Sequence, residues 1–593
     1  MYGRVPKTRS CIGHVEMSFR HHFRRPVERP FKPEERESVT ILLGGLTWKH
    51  ERLIQAVLQR SGHKCESLAQ PDRDAHEVGK EYCNNGLCNP AYFTIGNLIK
   101  RLRKLEEDGL SREEIVRDYI FFTAGSAGPC RYGMYEAEFR SALHAAGYPG
   151  FRVVLFLQDH GIKASSGQSG LHFSVDFGMC ALHAFILGDL INDLHRKLRA
   201  YEAVRGEADR VIANLVSSLS EYFLTGPFFD LEEFAPKLFR SVLRRYRSSG
   251  LFRFVNTYCK VADHLYGSGL TGTLKRLQES LSAMEVDRLQ VKPMVKVIGE
   301  FWAQLTEGDG NFRVFEFLEN EGAEVGVEPI STWIVYLLHQ SRQKLAEQRK
   351  LAIREDGWRH PFRAATRALA CSGKSMLYAL GGHIYRSHYQ RLAKALGGFT
   401  PPLTSQEELA ALAKPHYHSM LRGGEGHLEV GKNLYYFKHR KTHMVLSMKP
   451  FGCLPSMQSD AVQASLVSNN PEMVFLSVET AGEGEIHAHS RVQMALADAK
   501  TEARRECASV LASTHHSEAE IRQYILRHRE LRSATYPVVR RPGITSTAAN
   551  FMLQIDSLLD DSSNQRTPRI LDERSRRRVS MSPTPSHQES QNV

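Results

Sequence analysis

From residue 39 onward, short apolar runs alternate with amphipathic stretches. Residues 39–45 (VTILLGG) predict a strand ending in Gly, and residues 49–60 predict the helix after it. A second strand is expected near 65–68, a helix over 93–105, a buried strand at 119–125 (YIFFTAG), a helix over 134–146 and a strand at 151–156 (FRVVLF). Residues 179–289 are helical in pattern. Strands return at 296–301, 323–328, 442–451 and 473–479, with helices over 312–321, 333–354, 459–467 and 490–510 and further helix towards 395. Strands that alternate with helices imply parallel sheets in three layers. The fold class predicted is α/β, with two parallel-sheet, three-layer lobes and helical insertions. No internal repeat of short period is visible.

The expected organisation is a basic extension (1–37), an N-terminal α/β lobe (38–178), a helical region (179–290), an α/β segment (291–345) and a helical connection (346–400). A C-terminal α/β segment (401–512), a helical end (513–560) and a disordered basic tail (561–593) follow. A chain of 593 residues is too long for one core. Its 42% hydrophobic and 24% charged content is that of a globular protein. No uncharged run reaches the length of a membrane helix, and the Arg- and His-rich start has no apolar core of signal type, so a cytoplasmic protein without membrane partners is expected. Much of the net charge of +12 lies in the two tails, RSRRR at 574–578 among them, and reads as solvation rather than nucleic-acid binding. Ten cysteines without an export signal point to free or metal-bound thiols.

Three of those cysteines lie in Gly/Pro/Asn-punctuated turns. Cys88 stands in YCNNGLCNP (82–90), Cys130 in GSAGPCR (125–131) and Cys453 in KPFGCLP (449–455). Each falls where a strand ends or a helix begins, the place where α/β sheets put ligands. Soft thiolates on short turns suit an iron–sulfur cluster or zinc. Zinc favours closely spaced Cys or His pairs, and the chain has no CxxC. The pairs His21-His22 and His515-His516 sit in polar segments and read as solvent-facing. Cys83, five residues before Cys88, is a weaker fourth ligand, because a strand placement would turn it away. Cys11, Cys65, Cys180, Cys259, Cys371 and Cys507 lack turn contexts.

Arg131 follows Cys130 at a helix start, where N–H groups and a guanidinium favour an anion; a surface salt bridge is the plain alternative. Glu300, Glu307 and Asp309 bracket a Gly-rich turn after a strand, where a carboxylate could move a proton, against an ordinary polar loop. GHLEVGKN (426–433) imitates a phosphate loop, but Asn433 replaces the Mg²⁺-binding hydroxyl and no buried strand precedes it, so nucleotide binding is rejected there.

The three cysteine turns, with GEFW (299–302), EGDGN (307–311) and SRVQM (490–494), resemble the acyl-CoA dehydratase activase-related proteins, relatives of the 2-hydroxyacyl-CoA (2-hydroxyglutaryl-CoA) dehydratase subunits. The longest stretches are GKEYCNNG (79–86), GPCRYGMYEAEF (128–139) and residues 449–463, and the resemblance runs from about 39 to 510. It implies a dehydratase-subunit-like fold with a [4Fe–4S] cluster held by Cys88, Cys130 and Cys453, one iron being open to an acyl-CoA substrate. It also implies electron transfer at low potential from an ATPase of the actin/sugar-kinase (ASKHA) type. This chain carries no such ATPase motif, so that activator would be a separate partner. Ser126-Ala127 stand where the family is expected to have a further cysteine, which bears on a larger double-cubane cluster but not on a three-cysteine one. The activity expected is that of a reductase or dehydratase-like lyase component; the alternative is a non-catalytic cluster-bearing scaffold.

Overall fold

The computed structural model describes residues 28–125, 130–157, 170–171, 174–236, 240, 244–356, 360–421 and 423–564. The basic start with Cys11 and His21-His22, the Ser126-Ala127 pair and the tail from 565 lie outside the described residues.

The predicted α/β class is present as two four-stranded sheets in a mostly helical chain. The first holds β1 (Thr40–Leu43), β2 (Lys64–Ser67), β3 (Tyr119–Gly125) and β4 (Arg152–Leu157) in the order β2-β1-β3-β4. The second holds β5 (Met294–Gly299), β6 (Glu324–Val327), β7 (Met444–Pro450) and β8 (Phe475–Thr480) in the order β6-β5-β7-β8. All pairings are parallel. The two sheets therefore repeat one topology, a long-period duplication that the sequence does not display.

Side chains alternate across a strand, and in each sheet both faces are buried. Leu42, Phe121 and Val153 join one core with helices Asn89–Glu107 and Tyr135–Ala145, while Ile41, Leu43, Ile120 and Val154 join another with Phe31 and Leu58. In the second sheet Val295, Val297, Leu446 and Met448 face one core, and Ile298 and Val445 face another with Tyr336, Tyr435 and Tyr436.

The helical insertions follow the predicted plan. Helices Val175–Tyr201, Glu207–Thr225, Gly250–Tyr266 and Gly269–Ser282 follow β4. Val175–Tyr201 has the length and apolar composition of a membrane span, yet it is a core helix: Asp189 within it accepts the N–H groups of Ile330 and Ser331 at 2.7 and 2.8 Å. Helices Ile330–Asp356 and Pro361–Ala395 run antiparallel, the Tyr385 hydroxyl donating to Ser331 Oγ at 2.8 Å. One predicted helix begins late. Phe312 and Arg313 have φ of 60° and 48°, so the helix expected from 312 starts at Val314.

The lobes meet along a seam of mixed chemistry. The Phe93 and Trp302 rings lie 5.5 Å apart, and Asn89 Nδ2 donates to Thr480 Oγ1 at 3.4 Å. Fully buried Lys49 donates to Glu307 Oε1 at 2.8 Å, and Arg196 Nη2 reaches the same oxygen at 3.3 Å.

Candidate functional site

Five helix starts converge between the lobes, and each carries a side chain of chemical interest. Cys88 is the N-cap of Asn89–Glu107, Cys130 of the 3₁₀ turn Arg131–Met134, Cys453 of Leu454–Asn469, Glu300 of Phe301–Leu305 and Glu425 of Gly426–Lys438. An N-cap side chain ordinarily accepts a hydrogen bond from the first turn. Glu300 Oε2 accepts from Ala303 N at 2.9 Å, and the Cys130 and Cys453 sulfurs face the N–H groups of Tyr132 and Ser456.

Local sequence explains each placement. Helices Arg73–Tyr82 and Asn89–Glu107 cross in backbone contact because Gly79 and Gly96 lack side chains; a Cβ at Gly96 would sit 1.8 Å from Ala75 O. The turn between them is pinned by Glu138, which accepts from Asn84 N and Nδ2 at 2.6 and 2.9 Å. Pro90, in the first helical turn, leads the chain from Cys88 into its helix. Cys130 follows β3, and Cys453 follows β7 across Gly452, whose φ of 76° suits Gly. Gly299, at φ 126°, lets β5 pass against Met448 O, so that Glu300 emerges beside the β7 end.

The electrostatics tie these groups into one site. Burial raises the Cys88 thiol to about 11; the Tyr135 hydroxyl, 2.8 Å from its sulfur, and Arg131 pull down while Glu300 pushes up. Cys130 is pushed well up by burial and then by Glu425 and Glu300, and Cys453 by burial and by the same two carboxyls. Glu300 is raised to about 7 by burial and by Glu429. Burial, Glu300 and Glu429 raise Glu425 well above the usual carboxylate range. Arg131 bridges the site's rim, donating to Gly86 O in the Cys88 turn and lying near Gly452 in the Cys453 turn.

Three buried or half-buried thiols on three separate turns form a soft donor set that suits an iron–sulfur unit. Oriented helix N–H groups and Arg131 favour an anionic occupant. Burial raises all three thiols, so metal binding would release their protons.

Other predicted residues are placed elsewhere. Cys83 is the C-cap of helix Arg73–Tyr82, not a strand residue, and its thiol, raised to about 12 by burial and Glu138, belongs to the first lobe's core. Glu307 and Asp309 are committed to the seam: Glu307 to Lys49 and Arg196, and Asp309 to Arg73 N and the Arg313 guanidinium. Residues 426–433 lie in a helix rather than a phosphate loop. Cys65, Cys180 and Cys507 are buried and Cys259 and Cys371 half-buried, each outside the site. Sequence reading missed Glu425 and Glu429. Glu429 accepts from the Ser456 and Ser459 hydroxyls at 2.8 and 2.5 Å, and only the fold brings it there.

No family model matches the chain, and no curated protein matches it.

Proposed function

We propose that Cys88, Cys130 and Cys453 hold a [4Fe–4S]-type cluster, and that the chain is a reductase or dehydratase-like component of the 2-hydroxyacyl-CoA dehydratase class. Electrons would come from a separate ATPase activator of the actin/sugar-kinase type. The observation that carries this reading is the convergence of three thiols, two from one lobe and one from the other, around Glu300, with Glu425 beside Cys130 and Cys453.

When bound, such a cluster supplies low-potential electrons and an iron open to a substrate oxygen. The chain's own residues have distinct tasks. Arg131 offers a cation at the rim for an anionic group such as an acyl-CoA phosphate. Glu300, fixed by Ala303 N–H, is the carboxyl placed to carry a proton beside the thiols. Tyr135 orients the Cys88 sulfur.

The test is iron and acid-labile sulfide per chain after purification without oxygen, with EPR after reduction and an optical titration with acyl-CoAs. About four irons per chain, lost together in Cys88→Ala, Cys130→Ala and Cys453→Ala, is the expected result. Iron content unchanged in Cys453→Ala would sink the shared site. A cluster that ignores every acyl-CoA would indicate the scaffold instead.

A further inference from the structure

A second donor set lies outside the three-cysteine site, where the turn after helix Glu485–Leu511 meets helix Thr547–Asn564. Asp556 and Asp560 are four residues apart and so share one face of that helix. The neighbouring His515 and His516 both present Nδ1 to that face. His515 Nδ1 lies 2.9 Å from Asp560 Oδ2 and 4.0 Å from Asp556 Oδ2. His516 Nδ1 lies 2.9 Å from Asp556 Oδ1 and 3.9 Å from Asp560 Oδ1. One ligand atom each from His515, Asp556 and Asp560 falls within 4.8 Å of the others.

We propose that His515, Asp556 and Asp560 form a binding site for a divalent transition ion, with zinc the best fit and water completing its shell. Bonds of about 2.0–2.2 Å to nitrogen and oxygen at tetrahedral angles put neighbouring ligand atoms about 3.3 Å apart. His515 Nδ1 stands 2.9 Å from Asp560 Oδ2 and 4.0 Å from Asp556 Oδ2, either side of that value. An imidazole with two carboxylates suits zinc better than calcium, which needs six or more oxygens.

The frame is held before any ion arrives. Asp556 is only 10% exposed and accepts the backbone N–H groups of His515 and His516, both at 3.1 Å to Oδ1. Those bonds and the His516 imidazole occupy Oδ1 and fix the turn, which leaves Oδ2, facing His515 Nδ1, as the atom for an ion. His515 is 75% exposed, which gives an ion its way in. Binding would exchange the His515–Asp560 hydrogen bond for metal bonds, the proton on Nδ1 leaving to water from an imidazolium or moving to Nε2 in a neutral ring. The ion would then fasten the 512–517 turn to a helix that already packs on Ile521 and Ile525, making it a structural staple of the C-terminal helices.

The full chain, freed of metal by chelation, is titrated with Co²⁺ and then Zn²⁺. Co²⁺ separates this site from the cysteines, because thiolate ligation adds a near-ultraviolet charge-transfer band that nitrogen and oxygen ligands lack. The expected result is an equivalent of Co²⁺ whose visible ligand-field bands grow without the thiolate band, distinct from any equivalent the cysteines take, and displaced by Zn²⁺. His515→Ala and Asp560→Asn, both at accessible positions, should each weaken that equivalent by more than about tenfold. The rise in melting temperature with Zn²⁺ should vanish in both variants while the metal-free melting temperature stays put. Undiminished binding in both variants, or Co²⁺ bound only with the thiolate band, would overturn the site.

Discussion

Cys130 and Cys453 occupy equivalent positions in the two lobes. Each follows the third strand of a sheet with the same strand order, β3 or β7, and each stands at the start of the helical segment that comes next. Their neighbours repeat the pattern with a change of chemistry. Cys88 begins the helix two elements ahead of β3, and Glu425 begins the helix ahead of β7. The duplicated fold thus offers four corresponding helix starts, three with a thiol and one with a carboxyl. In such sheets ligands collect beyond the carboxyl ends of the strands where the strand order reverses. Facing two such ends places the four groups together.

The seam between the lobes rests on Glu307. Glu307→Gln leaves Lys49 buried without a counter-charge and Arg196 with only Glu319, 3.8 Å away, and should cost about 3–5 kcal/mol. Urea unfolding monitored by tryptophan fluorescence measures it. A loss under about 1 kcal/mol would mean that water reaches the two cations freely.

The same carboxylate gives the protein an acid limit. Burial alone would raise Glu307, but Lys49 and Arg196 hold it at about 2, and Lys296 and Lys432 likewise hold buried Glu328 at about 2. Groups with depressed folded pKa values stabilise above the unfolded value and lose that contribution as pH falls towards the folded one. Stability should therefore drop between about pH 4.5 and 2. The slope should be shallower in Glu307→Gln, and equal slopes in the two proteins would assign the acid limit to other groups.

The Cys88 turn depends on a helix crossing with no room for a methyl group. Gly96→Ala drives its Cβ into Ala75 O, and separating the helices should cost about 1–3 kcal/mol. Because those helices frame the Cys88 turn, reconstituted iron should fall as well. Full iron with an unchanged melting temperature would show that the crossing relaxes without cost.

Arg131 is expected to matter more for the occupant than for folding. Its guanidinium is partly exposed, so Arg131→Ala should change stability by about 1 kcal/mol or less. Release of iron to a chelator should speed up, with Arg131→Lys intermediate, since Lys keeps the charge but not the planar fork. Identical release from all three proteins would remove Arg131 from the site.

Much of this protein was legible in local pattern. Apolar runs ending in Gly gave the strands, and Gly, Pro and Asn around Cys88, Cys130 and Cys453 placed those thiols at helix starts, because backbone geometry and periodicity act over a few residues. Cys83 was misplaced for the same reason: Tyr82 and its neighbours do not reveal that a helix ends there against Gly79.

What only the tertiary structure decided depends on partners distant in the chain. Glu307 looks like any loop carboxylate until Lys49, 258 residues away, is buried against it. His515 faces solvent as its polar segment suggests, at 75% exposed, and only the fold brings Asp556 and Asp560, some 40 residues on, beside it. Glu425 carries no local signal at all and gains its place from the second lobe's repeat of the first. Sequence by itself determined which segments become strands and helices and where the thiols sit along them. The crossovers of two parallel sheets then determined which of those ends face one another, since parallel pairing joins segments that no local pattern connects.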